Sequence, residues 1–288
     1  MQFASLGSGS KGNGTLIESG KTTLLVDCGF SLKQTQLRLE RLGRSIEDLD
    51  AILVTHEHSD HIGGVRRLSH KVGIPVWMSS GTAREAERRE GLFDSVRIVC
   101  GHEPFTIGEI EVTPYHVPHD AKEPLQFTFS NGQQRVGLLT DVGEVTPHIE
   151  RQLGGCDALL LECNYDLDLL AMGPYPQYLK QRVSGRLGHL NNRQAAALLE
   201  QIDTSKLQHL VVMHLSEQNN CRDRAVAAIQ GVLQCEQDWI VVADQQEGFE
   251  WRSVARIFKS HGSPHCTSLP GPFQCWVSRC VSGGNAYC

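Results

Sequence analysis

The sequence predicts an α/β fold with mixed sheets and helices on the outside. Three observations point there. Short β-like apolar runs alternate with helix-length stretches along the chain. Several of these runs, such as AILV, RVGLL and DALLL, are nearly continuous in apolar residues, as strands covered on both faces are. The first runs follow one another closely, as in hairpins, whereas later ones are separated by helical segments.

Taken in order, strands are predicted at residues 3–6, 15–18, 22–27, 51–55, 76–78, 110–115, 125–130, 135–141, 157–162, 210–214 and 239–244. Helices are predicted at 31–42, 62–72, 81–90, 191–203 and 222–234. Between the first two strands, GSGSKGNG reads as a hairpin loop. It lacks the Lys-Ser/Thr ending of a phosphate-binding P-loop and does not open a helix. Ser31 is a natural cap for the first helix. In the fourth, Ala195, Leu198, Leu199 and Ile202 fall on one face. No repeat of 20–50 residues is visible.

The 288 residues suit one large domain or two small ones, and 40% hydrophobic with 21% charged residues is ordinary globular composition. A net charge of −6 argues against a basic nucleic-acid coat, so any action on nucleic acid must come from a local site. No apolar run approaches the roughly 18–20 residues that span a bilayer, and the first residues carry no signal-peptide pattern, so a cytoplasmic protein without membrane contact is expected. Cys28, Cys100, Cys156, Cys163, Cys221 and Cys235 are scattered and read as reduced thiols. Residues 1–253 read as one body. Residues 254–288 contain no acidic residue, are rich in Gly, Ser and Cys, and read as a tail that is disordered or not native to the domain. Its cysteines form no CxxC pair, which argues against a zinc knuckle.

The strongest signal is THEHSDH, residues 55–61, between a buried-strand pattern and IGGV. His56 and His58, two apart, point the same way at a strand end and can share one metal. Asp60 and His61 follow where the chain turns and can reach a second. Imidazole and carboxylate suit zinc, manganese or iron. The plain alternative, a solvated polar loop, fits poorly after a buried strand. Further ligands are available at strand ends: His119 in VPHDAKEP, Asp141 in RVGLLTD, His214 in LVVMH and Asp27 in TTLLVD. Singly, each is an ordinary turn residue; jointly they sit where α/β folds build their sites.

LGSGSKGNGTLIE, LLVDCGFS, ILVTHEHSDHIGGV, HDAKEP, GLLTDVGEVT, LECNYD, YPQYLKQRVSGRLGHLNN and HLSEQNN resemble, in this order, the YycJ/WalJ-type group of metallo-β-lactamase-fold hydrolases, regarded as 5′→3′ exonucleases. The resemblance runs from the first residues to about Phe249. GHLNN departs from the expected GHLSN at one side chain. The resemblance implies a four-layer αβ/βα sandwich with two divalent metals between the sheets, zinc or manganese, with iron as a further option. His56, His58 and His119 would bind one metal and Asp60, His61 and His214 the other. Asp141 would bridge them, and Asp27 would orient the HxHxDH segment from outside the ligand set. His116 competes with His119 as third ligand; His119 carries the HDA match.

The expected chemistry is in-line attack on a phosphodiester by a hydroxide shared between metals about 3.5–4 Å apart. Asp60 would hold and orient the nucleophile. His189 is the candidate acid for the leaving oxygen: Gly188 permits close approach, and Asn191 and Asn192 can cap the following helix, whose N-terminus favours an anion. A helix-start histidine without chemistry is the alternative. Substrate contacts are assigned to Ser8 and Asn13 in the glycine-rich loop, to Lys180, Arg182 and Arg186 in LKQRVSGR, and to Asn219 after His214. Tyr175 and Tyr178 could stack on bases. DNA is thus the expected substrate. Two other readings stay open. One is hydrolysis of a small thioester, lactone or cyclic phosphodiester, which the acidic net charge favours. The other is a non-catalytic, metal-stabilised binding module.

Overall fold

The computed structural model describes residues 1–255. The first sheet takes six strands in chain order: β1 (Gln2–Gly7), β2 (Gly14–Ser19), β3 (Thr22–Val26), β4 (Ala51–Leu53), β5 (Val76–Met78) and β6 (Val96–Ile98). The second takes β7 (Phe105–Ile107), β8 (Ile110–His116), β9 (Leu125–Ser130), β10 (Arg135–Leu139), β11 (Ala158–Glu162), β12 (His209–Met213) and β13 (Ile240–Val242). A last strand, β14 (Phe249–Ser253), returns to pair with β1. The strand orders are β14-β1-β2-β3-β4-β5-β6 and β13-β12-β11-β10-β9-β8-β7. Each sheet is antiparallel through one half and parallel through the other. The change falls at β3 in the first sheet and at β10 in the second.

Alternation along the strands creates the layers. On β3, Leu24 and Val26 face the second sheet, where they meet Phe127, Leu138 and Leu160. Leu25, between them, faces outward onto Leu39, Leu68 and Ala86. These belong to α1 (Leu32–Arg41), α3 (Val65–Val72) and α4 (Ser80–Glu90). On β11, Ala158 and Leu160 point inward, while Leu159 and Leu161 meet Ile149, Leu198 and Ile229. Those three lie on α5 (Pro147–Leu153), α8 (Asn192–Gln201) and α9 (Arg222–Leu233). The architecture is therefore helix, sheet, sheet, helix, the expected sandwich. No helix of the described residues is long and apolar enough to cross a membrane.

Several elements differ from expectation. The predicted helix 62–72 is broken into α2 (Ser59–Ile62) and α3. Gly64 lies against the backbone so closely that a Cβ there would sit 1.9 Å from the Phe30 carbonyl oxygen. The strands β6, β7 and β14 and the helices α5, α6 (Leu167–Met172) and α7 (Gln177–Ser184) were not anticipated. The two short strands β6 and β7 have three residues each, too few for a period-2 signal. α7 buries no residue, so it has no apolar stripe to read. α5 did carry a start signal, Thr146 as cap and Pro147 after it. The expected tail falls, beyond Ala255, outside the described residues.

Candidate metal centre

The C-terminal ends of β3, β4, β10, β11 and β12 meet at one edge of the sandwich. β4 ends at Leu53, so His56 and His58 stand in the loop beyond it rather than on the strand. His58 is the N-cap of α2, and Asp60 and His61 occupy that helix's first turn. Asp27, Asp141 and His214 all lie just past their strands, with φ of 61°, 53° and 51°. This left-handed region is costly for residues other than glycine, and Asp and His are among those that tolerate it best. The chain thereby turns three polar side chains into the same space.

Two nests of donor atoms result. In the first, His58 Nδ1 lies 3.0 Å from His56 Nε2 and 3.3 Å from His119 Nε2. In the second, Asp60 Oδ2 lies 3.5 Å from His61 Nε2 and 3.6 Å from His214 Nε2. Tetrahedral zinc with Zn–N of roughly 2.0–2.1 Å needs ligand atoms about 3.3 Å apart, close to these separations. Asp141 borders both nests. Its Oδ2 is 3.1 Å from His61 Nε2, and its Oδ1 is 3.7 Å from His214 Nε2 and 3.9 Å from His119 Nε2. His116 ends β8 exposed, beside His102. His119 is the one brought to the nest.

The other ring nitrogens are held from behind. Asp27 accepts from Thr55 N, from Thr55 Oγ1 and from His61 Nδ1, each at 2.8 Å. The Gly188 carbonyl accepts from His119 Nδ1 at 3.1 Å. Such contacts fix the tautomer and aim the free nitrogen at the site. Asn13 Nδ2 reaches Asp60 Oδ2 and His61 Nε2, and the Ser8 hydroxyl accepts from the His214 backbone N–H at 2.8 Å.

Electrostatics favour a cation here. Burial opposes charge on every group, yet Asp60 and Asp141 are held well below the usual carboxylate range by the surrounding imidazoles. Burial likewise works against charge on His214. Asp141, Asp60 and Glu162 nevertheless push its pKa up to about 10. His56 and His119 are driven down by burial and stay neutral, the form that binds metal. Two buried atoms facing the nests, Asp141 Oδ2 and His214 Nε2, have no hydrogen-bond partner. Orphaned buried polar atoms of this kind are expensive. A divalent ion would satisfy both, so the donor set fits a metal.

A cavity of about 360 Å³ opens onto the nests. His189 lines it, with Nδ1 donating to Glu162 Oε1 at 2.8 Å. Glu162 is fully buried and also accepts from the Val142 and Leu190 backbone N–H groups. Its charge raises the His189 pKa against the effect of burial. Of the basic run, only Arg182 reaches the cavity wall, where Asp120 accepts from its Nε at 2.7 Å. Lys180 turns instead to the Ala171 carbonyl, and Arg186 pairs with Glu144. Tyr175 and Asn219 line the cavity; Tyr178 points to solvent, 72% exposed.

Sequence reasoning passed over three residues. Glu162 is the last residue of the apolar strand β11, as Asp141 follows β10, a legible signal. Asp120 follows His119 and touches the first nest. Glu57, inside HEHSDH, accepts from the Lys122 backbone N–H at 2.8 Å and so pins the loop that carries His119.

A model of the β-lactamase superfamily domain matches residues 22–215. The chain belongs to that superfamily. It is 35% identical over 236 residues to exodeoxyribonuclease YycJ of Bacillus anthracis, covering 81% of this chain and 89% of the relative. It is 36% identical over 228 residues to exodeoxyribonuclease WalJ of Streptococcus pneumoniae, covering 78% and 85%. Among solved structures, the metallo-β-lactamase fold protein YhfI from Bacillus subtilis superposes with a TM-score of 0.67 at 20% identity, over 86% of this chain and 97% of that one. Within the superfamily, the chain falls in the YycJ/WalJ group. With this fold and donor set it is a metal-dependent hydrolase.

Proposed function

We propose that the chain is a two-metal exodeoxyribonuclease that shortens DNA from its 5′ end in the cytoplasm. The observation that carries this reading is the long, near-complete similarity to two exodeoxyribonucleases. His56, His58 and His119 would hold one ion, and Asp60, His61 and His214 the other, with Asp141 touching both; zinc and manganese suit these donors. When bound, such ions supply Lewis acidity and lower the pKa of water toward neutrality. Asp60 orients the attacking water in line with the scissile phosphorus. His189, whose Nδ1–H is anchored by Glu162, keeps its other nitrogen for the leaving oxygen and donates the proton there. Arg182, steadied by Asp120, offers its remaining N–H groups to a phosphate. Asn219 and Tyr175 line the path of the strand. Ser8 and Asn13 act through the ligand loops, since their polar atoms already serve His214 and Asp60.

The modest cavity and the net charge of −6 favour a second reading, hydrolysis of a small phosphodiester, thioester or lactone. The test incubates full-length protein with manganese or zinc and three substrates: 5′-labelled DNA, a small chromogenic phosphodiester and a thioester. Release of labelled mononucleotide is expected. Intact DNA under every metal, with turnover of a small ester, would establish the second reading instead.

A further inference from the structure

Beside the metal cavity lies a second one of about 570 Å³, walled by α4 and by the loop after His119. Neighbouring residues line the two. Arg89 of α4 lines the metal cavity, whereas Arg84 and Arg88 line the second. Asp120 and Lys122, two residues apart on the loop, divide in the same way. Glu85 stands between: its Oε1 accepts from Arg88 Nη2 and from Arg89 Nε, both at 2.6 Å. That carboxylate orients two guanidinium groups and neutralises only one charge. Glu123, the other acid of the second cavity, is spent on α4, accepting from the Gly81 N–H and the Ser80 hydroxyl. Among the described residues, Arg84 and Lys122 are exposed and form no ion pair. With Asp120 and its partner Arg182 included, five cations thus face three committed carboxylates along a path leading away from the metals, in a chain whose net charge is negative.

We infer that this path is a track for the polynucleotide strand, carrying the phosphates on one side of the scissile bond across α4. The inference rests on the nuclease reading and adds to it the surface that favours a polymer over a small ester. Arg84 and Arg88, on one face of α4, lie about 6 Å apart along the helix axis, roughly two phosphate spacings of a stacked strand, and Arg89 follows where the path turns toward the metal cavity. Lys122 extends the row from the facing loop. Contacts of this type attract without reading sequence.

The test compares the full-length, manganese-loaded protein with its Arg84→Ala/Lys122→Ala variant, matched by melting temperature and metal content. Binding is measured for a hydrolysis-resistant phosphorothioate strand of about 12 nucleotides and for a phosphorothioate dinucleotide, too short to reach the track. The wild type should bind the long strand more tightly. The variant should lose about tenfold on the long strand alone, and its salt slope should fall by about 1.4. Equal loss on both ligands, or no loss on the long strand, would overturn the track. If long strands bind in this length-dependent way but ordinary DNA is never cut, the nuclease reading falls and the track survives. If the wild type binds neither ligand, both fall.

Discussion

Asp27 shows how one buried carboxylate serves a site it does not enter. It takes three donors from Thr55 and His61, and it has four lone-pair positions to do so. Asp27→Asn leaves one carbonyl oxygen for that work and turns an N–H toward a donor. Metal affinity should fall about 10- to 100-fold, read by competition with a chelating dye. Glu162 plays the same part for His189. Glu162→Gln should lower kcat on labelled DNA by about 10- to 100-fold, while His189→Ala should lower it by about 100- to 10,000-fold with the bound metal retained. An unchanged kcat in both would remove the proton donor from the mechanism. Burial also controls the thiols. It pushes Cys28 and Cys156 up to about 11, so they stay protonated, and unreactive, until the pH nears that value. Alkylation at pH 8 followed by peptide mapping should label exposed Cys100 and Cys221 and spare Cys28 and Cys156. The strand-end acids and histidines were legible because apolar runs stop at them. Glu162 carried the same signal. Lys180 and Arg186 were legible as charges, but Ala171 and Glu144, which take them up, could be matched to them only in three dimensions.

At the scale of elements, glycines decide how closely segments meet. Gly188 precedes His189, and a Cβ there would lie 2.2 Å from the Val183 carbonyl oxygen and 2.3 Å from that of Arg182. Both are backbone atoms and cannot swing away. Gly188→Ala should therefore push the end of α7 from the His189 loop and shift the carbonyl that holds His119, lowering kcat by about 100-fold and weakening metal binding as well. A near-normal rate would mean that α7 yields without cost to the site. The core strands and the amphipathic helices α8 and α9 could be read from periodicity, because each buries a face. α7 could not, since it buries none and is kept over the cavity by the Arg182–Asp120 pair and by the Val183 carbonyl, which accepts from the His189 N–H. The continuous helix expected over 62–72 failed because Gly63–Gly64 is used for contact with the Cys28–Phe30 turn, a partner distant in sequence.

The whole molecule repeats one plan. In each sheet an antiparallel run turns parallel at a strand, β3 or β10, and an aspartate on left-handed backbone follows that strand: Asp27 in one half, Asp141 in the other. One accepts from His61 Nδ1 and the other stands between the donor nests. If ions join nests drawn from both halves, removing them should loosen the body. Dialysis against a chelator should abolish activity and lower the Tm, and returning metal at about 100 times its Kd should restore roughly 2.7 kcal/mol, or about 5–10 °C. An unchanged Tm on metal return would show that the nests do not hold ions in the folded state. By itself, the sequence determined the alternation of buried strands and helices, the identity of the strand-end donors and the HxHxDH segment, since these are local patterns of polarity and spacing. Only the tertiary structure decided that Glu162 anchors His189, that Arg182 alone of its run meets the cavity, and that α4 brings Arg89 to its rim. Those outcomes depend on which distant backbones pack together, and a linear pattern carries no distance across the fold.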